Sequence, residues 1–503
     1  MVNDDALAKI RSLLSQFDLE NGLIFLNRLS HIARGETSDS QMAAWVQRYD
    51  LVIFPHILHY LGKELLNNAS YLNIRKMSID DYHTLHELVV SSPDPILDDP
   101  DWIKKDPSGL FERLLQQQII PQHPNLKKKI GLALGLFRDL PAVNWPITFD
   151  LRSEIENEIE CPVESFIKQG FIASALSRNT CDGVLCRGAF DERIVREAFH
   201  SGFADCEPVS WLRFLERISC DRDTFRTRCK PTTDMTTITP EPRIGDCEAL
   251  ATAPGPFAFN PLWQFPVIKG PRGDYIAIDP ALIIERVTLG LFCDMHNHFK
   301  GEFTSKFGYT FEAFVGHMLR EACSSNAIWS ASDWEASNGA NRLLKQKISD
   351  WVIRCNNANV LVECKSMRAS LELRQTGSDA SIHSVNNRIA DAVTQLSVHA
   401  ASIMGGDWES EGIARLDCVG IIVTYGKLFS PNAPFSRDRI KEMLSARGIQ
   451  MIPYVTLSLE DFDSVIHLVE TGHSLSSLVA TLSSANNVFA PLRPFRAELA
   501  VCE

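Results

Sequence analysis

Leu7, Ile10, Leu13, Leu14 and Phe17 recur at the i, i+3, i+4 spacing that lines apolar side chains along one side of an α-helix. Similar stripes follow in Leu110, Leu114 and Leu115 and in Trp211, Phe214 and Leu215. Ser78 stands three residues before Asp81 and just ahead of Leu85 and Leu88. That is the form of a helix start, where hydroxyl and carboxylate each satisfy a free backbone amide. From Asn3 to about Arg228 the pattern predicts a mainly α-helical accessory domain, residues 1–230.

Pro231 to Phe259 breaks this pattern with Pro231, Pro240, Pro242, Pro254 and Pro256 among Thr and Ala, and reads as a linker. Phe265–Ile268 and Tyr275–Ile278 flank Gly-Pro-Arg-Gly-Asp, which predicts a β-hairpin. Leu282 to Phe292 then reads as a helix. Residues 231–300 are therefore expected to be a linker carrying a hairpin and a helix.

The last third changes again. A helix is expected at Phe311–Glu321, short strands around Asp350 and Glu363, and a second helix at Val385–Ile403. Two continuous apolar strands follow, Val419–Thr424 and Met451–Leu457, and Ser458 with Asp461 opens a final helix. The order α, β, β, α, β, then β, α predicts an α/β C-terminal domain over residues 301–503, with a mixed β-sheet flanked by helices.

Composition narrows the function. Hydrophobic residues make up 45% and charged residues 22% of the 503, enough apolar material for more than one core. The net charge of −13 argues against a simple non-specific nucleic-acid binder, which needs a basic surface. Between Arg320 and Arg374, however, eight Lys/Arg face six Asp/Glu, so that segment is mildly basic inside an acidic protein. Thirteen cysteines, an odd number with no CxxC pair, fit free thiols in a reducing compartment. Cys181 and Cys186 are too widely spaced for a zinc knuckle and have no matching second pair. The opening Met-Val-Asn-Asp-Asp lacks the features of a signal peptide, and no apolar run approaches the roughly 18 residues of a spanning helix. A cytoplasmic protein with no membrane contact is expected. The chain has no Walker A loop, GxSxG elbow or dinucleotide fingerprint, which argues against motors and hydride-transfer enzymes.

One constellation carries chemistry. Ile348-Ser-Asp-Trp-Val-Ile places Asp350 at the edge of a short strand, and Asn359-Val-Leu-Val-Glu-Cys-Lys follows nine residues after that aspartate. Strand side chains alternate, so Glu363 and Lys365 share one face while Val360, Val362 and Cys364 point to the other. Asn356-Asn357 is turn chemistry, and a hairpin there brings Asp350 beside Glu363. Two carboxylates on neighbouring strands make a hard oxygen site suited to Mg²⁺ or Mn²⁺. A lysine beside them can reach a water or a phosphate oxygen, which suits in-line attack of water on a phosphodiester. The competing reading is an exposed Glu/Lys ion pair on an edge strand, worth little.

With Asp350 followed by Glu363-Cys364-Lys365, the chain resembles the PD-(D/E)xK nuclease superfamily, which has the restriction-endonuclease-like fold. The resemblance spans about a third of the chain, and Ser349 stands where the motif's name has proline. It implies an αβββαβ core, with the missing strand expected between Ser366 and Gln375. It further implies that Asp350, Glu363 and the Cys364 carbonyl hold the metal and that Lys365 activates water. Thr310-Phe-Glu-Ala-Phe-Val looks like the family's first core helix, which makes Glu312 a candidate near the metal; the helix dipole alone also favours a glutamate in a first turn. Arg388, Gln395 and His399 lie on a stripe beside the buried one of the second helix, and Gln395 matches the position where the family often has Gln or Lys.

A decoy precedes this segment. Cys293-Asp-Met-His-Asn-His has Asp294, His296 and His298 in the pattern of a metal-binding strand of amidohydrolase-like enzymes, but its surroundings read as helix and no later ligands follow. The expected function is a Mg²⁺- or Mn²⁺-dependent nuclease acting on nucleic acid, with DNA the first substrate. By analogy of architecture it would serve as a prokaryotic defence effector. The helical region would bind a protein partner or mediate homo-oligomerisation. A non-catalytic binding module that keeps the nuclease fold, and a metal hydrolase using His296 and His298, are the two alternatives.

Overall fold

The computed structural model describes residues 3–35, 40–48, 51–92, 126–144, 147–179, 184–187, 211–229, 260–299, 301–323, 327–331, 348–369, 379–428 and 430–484. The chain divides into two compact units. One comprises Met1–Lys105, Gln117–Asp139 and Leu151–Lys300, and the other Asp106–Gln116, Leu140–Asp150 and Gly301–Glu503. The stripe at Leu110–Leu115 and the proline-rich stretch from Pro231 to Phe259 lie outside the described residues.

In the first unit, α1 (Asn3–Leu14), α2 (Leu19–Ala33), α3 (Pro55–Asn68) and α4 (Ile79–Val90) surround one apolar core. Ile10, Leu14 and Phe17 of the sequence stripe are fully buried there with Leu26, Leu61 and Leu85. Ser78 starts α4 as a capping box: its hydroxyl accepts the Asp81 amide and the Asp81 carboxylate accepts the Ser78 amide.

Among the described residues, four short strands form this unit's sheet: β1 (Val184–Arg187), β2 (Ser219–Asp221), β3 (Val267–Lys269) and β4 (Asp274–Ala277), in the order β1-β4-β3-β2. β3 and β4 are the expected hairpin. Gly273 turns it at a φ of 80°, a left-handed value that a side chain would strain. β2 joins β3 in parallel. Residues 260–299 are thus an integral part of the first unit rather than a linker. After β4, Asp279 caps α5 (Pro280–Val287) and is fully buried. Its carboxylate accepts from Arg34 at 2.7 and 2.9 Å and contacts His59 Nε2 at 2.8 Å, which ties α5 to the end of α2 and to α3. The single helix expected at Leu282–Phe292 is two, α5 and α6 (Leu289–Phe299).

Among the described residues, the second unit is a mixed five-stranded sheet with helices against it. β5 (Ile328–Ser330), β6 (Trp351–Arg354), β7 (Asn359–Lys365), β8 (Cys418–Thr424) and β9 (Tyr454–Ser458) lie in sequence order across the sheet. β5–β6 and β6–β7 pair antiparallel, β7–β8 and β8–β9 parallel. The strand expected between Ser366 and Gln375 falls mostly outside the described residues. Residues 366–369 form no strand, 370–378 lie outside the described residues, and β5 supplies the pairing with β6. The chain order is α7 (Gly301–Ala322), β5, β6, β7, α8 (Asp379–Gly405), β8.

β8 is buried along its whole length, as a central parallel strand covered on both faces must be. On one side, Val385, Ile389, Val393 and Leu396 of α8 pack with Val352, Leu361 and Ile422. On the other, the Trp351 indole lies so close to α7 that a Cβ on Gly316 would sit 2.1 Å from it. Between β8 and β9 runs α9 (Pro434–Ala446), which was not anticipated. After β9, Ser458 caps α10 (Leu459–Glu470) by accepting the Asp461 amide at 3.1 Å, and α11 (Leu475–Ser484) follows. No helix among the described residues is long and apolar enough to cross a membrane.

Candidate active site

The β6–β7 register pairs Trp351 with Val362. One step further along, Asp350 faces Glu363, and alternation puts both on the side chain face of Val352 and Leu361. That face is covered by α8. The Asp350 carboxylate accepts the Cys364 amide at 2.6 Å, so it is fixed across the end of the hairpin. Glu363 is 1% exposed. Its Oε1 accepts from Lys365 Nζ at 2.5 Å, and Lys365 also donates to Gln395 Oε1 of α8 at 3.0 Å. The other Glu363 oxygen, Oε2, is buried without a hydrogen-bond partner among the described residues. Asp350 and Lys365 are part-buried.

Electrostatics follow from this packing. Burial, and then the Asp350 carboxylate, push the Glu363 carboxyl well above the usual range. Burial likewise raises Asp350, although the Cys364 amide and Lys365 work against it. Burial alone would lower the Lys365 ammonium, but Glu363 and Asp350 outweigh it and hold the group above its ordinary value. One ammonium therefore faces two crowded carboxylates, and the cluster is short of positive charge. Oxygen donors with an unpartnered buried oxygen fit a hard divalent cation. Among the described residues no three His, Cys, Asp or Glu side chains form a metal-holding group. The oxygen atoms gathered here are those of the two carboxylates, with the Cys364 carbonyl next to them in sequence.

Glu312 is not in a first turn. It sits midway along the 22-residue α7, so helix-dipole preference does not account for it. Its charge adds to the raised values of Glu363 and Cys364, which places it within electrostatic reach of the cluster. Arg388 is exposed on α8. His399 turns inward, 1% exposed, and binds Ser349, the residue before Asp350. The competing reading of an exposed edge-strand pair does not hold, because β7 is an interior strand and Glu363 is buried.

The histidine motif is disposed differently. His296 and His298 lie on α6, not on a strand; Asp294 is held by Arg286 at 2.9 Å, and His298 Nδ1 lies 3.2 Å from Glu158.

No family model, curated protein or solved structure matches this chain. Sequence reasoning named Asp350, Glu363, Lys365 and Gln395, and the structure brings these four together. It missed the Ser349–His399 contact, whose only signal was a polar residue one helical turn beyond Gln395.

Proposed function

We propose that the second unit is a Mg²⁺- or Mn²⁺-dependent nuclease with a restriction-endonuclease-like PD-(D/E)xK core, acting on nucleic acid with DNA as the first substrate. The observation that carries this is the buried, unpartnered Glu363 Oε2 beside Asp350, with Lys365 held between Glu363 and Gln395. The order α7-β5-β6-β7-α8-β8 supports it, since it reproduces αβββαβ with Asp350 leading into the second strand and Glu363 and Lys365 ending the third.

Asp350, Glu363 and the Cys364 carbonyl would hold the ion. When bound, a divalent cation supplies charge that polarises the phosphodiester and acidifies the attacking water. Lys365 stands as a cation beside both acids and steadies the negative charge that builds on the phosphate as a water oxygen attacks phosphorus and the ester oxygen leaves. Gln395 keeps the ammonium pointed at the site through its amide oxygen. Glu363 and Asp350, once neutralised by the cation, no longer repel the phosphate.

The test is a cleavage assay with plasmid DNA, single-stranded DNA and RNA, with Mg²⁺ or Mn²⁺ and with EDTA. Cleavage that EDTA stops and that Asp350→Ala and Glu363→Ala each abolish is the expected result. Metal-dependent cleavage that survives in Glu363→Ala, or binding of nucleic acid without turnover under every condition, would overturn the proposal. The second outcome would mark a binding module that keeps the nuclease fold.

A further inference from the structure

His399 lies one helical turn after Gln395 on α8 and is buried against Trp408, with ring centroids 4.5 Å apart. Its Nδ1 is 3.1 Å from the backbone nitrogen of Ser349 and 2.8 Å from the Ser349 hydroxyl. A backbone N–H can only donate. Nδ1 must therefore carry the lone pair, and the ring proton resides on Nε2. That Nε2 is buried and has no hydrogen-bond partner among the described residues. An apolar side chain would fill the space against Trp408 without such an orphan. What the imidazole provides and an apolar side chain cannot is the acceptor at Nδ1 for an amide buried just ahead of the strand.

We propose that His399 is the positioning residue for Asp350: by accepting the Ser349 amide it fixes the peptide from which the Asp350 side chain departs. The inference rests on the reading of Asp350 as a cation-binding carboxylate. Gln395 and His399 then give α8 a double function. One turn of the helix holds Lys365 of β7, the next holds the start of β6, and their fixed spacing sets how far Asp350 stands from Lys365. Ile348 packs against the same α8 core, so the approach to Asp350 is anchored by an apolar and a polar contact together.

Asn and Gln replacements separate this from simple core filling. The Asn amide oxygen can occupy the place of Nδ1, whereas Gln reaches towards Nε2. Hydrogen exchange of the metal-free full-length protein reads the anchor itself, and calorimetric Mn²⁺ titration reads its effect on the site. His399→Asn should retain protection of the Ser349 amide. His399→Gln should lose about tenfold in both that protection and Mn²⁺ affinity, with β8 and β9 protected as in the parent and serving as the internal control for folding. Equal exchange at Ser349 in the two variants would overturn the proposal. So would lost protection with unchanged Mn²⁺ affinity, when Asp350→Ala shows that Asp350 binds the ion. If Asp350→Ala binds Mn²⁺ like the parent, the reading of the cation site fails, and the exchange data alone then decide whether His399 anchors Ser349.

Discussion

Asp350 captures the Cys364 amide at 2.6 Å, so a side chain replaces a backbone partner where the β6–β7 ladder ends. The register brings that carboxylate opposite Glu363, and burial makes two nearby acids an unfavourable arrangement for the fold. A hairpin built for stability alone would not place two carboxylates and one ammonium there.

Glu363→Gln is expected to raise stability while removing cleavage. The Glu363 carboxyl is raised in the folded protein, so folded chains keep a proton that unfolded chains release. Its contribution is full below the unfolded pKa and declines as pH rises towards the folded value. The gain from Glu363→Gln should therefore grow as pH rises above the ordinary glutamate pKa of about 4.3. Thermal melts at rising pH check it; a variant less stable than the parent at pH 8 contradicts it.

Lys365→Ala should lower metal-dependent cleavage by at least about 100-fold, the scale of losing one preorganised charge from a phosphoryl-transfer site. Gln395→Ala, which only frees the ammonium, should cost roughly tenfold, in line with a hydrogen bond to a charged group of about 1.5 kcal/mol. His296→Ala should leave the rate unchanged, because that residue sits on α6 in the other unit. Single-turnover rates on a labelled duplex rank the three.

Gly316→Ala tests the packing behind the site. Helix propensity favours alanine by about 1 kcal/mol. The new methyl would nevertheless sit 2.1 Å from the Trp351 ring, and α7 or β6 must shift to admit it. A net loss of about 1–3 kcal/mol is expected by chemical denaturation. A more stable variant would show that Trp351 has room to move.

Asp279→Asn should destabilise the first unit by about 3–5 kcal/mol, as expected when a buried ion pair loses one partner. Burial works against the Asp279 carboxylate, but Arg34 and His59 more than compensate and hold it far below the usual carboxylate range. A depressed folded pKa gives stability that is present above the unfolded value of about 3.9 and lost as pH falls through the folded one. The parent should therefore lose stability steeply below about pH 4, and the variant less so; acid titrations followed by circular dichroism measure both slopes.

Much of the site was legible because its rules are local. Alternation in β7 alone puts Glu363 and Lys365 on one face, and Asn356-Asn357 sets the turn that brings Asp350 opposite Glu363. Non-local pairing was not legible. Ile328–Ser330 is too short to stand out as a strand, and β2 meets β3 in parallel from 48 residues away along the chain (Ser219 with Val267). The start of α7 was missed although Phe303, Phe307 and Phe311 recur at every fourth position and are all fully buried; Gly308 and the Thr and Ser residues around it diluted the pattern. His399 escaped notice as an anchor because its role depends on an amide fifty residues upstream.

The most direct test is the cation itself. Calorimetric titration of Mn²⁺ into the full-length protein should show saturable binding at pH 8 that weakens towards pH 5, as protons compete for the raised carboxyls. The Asp350→Asn, Glu363→Gln double variant should show none while remaining folded. Mn²⁺ binding of equal strength in that variant and the parent would contradict the account.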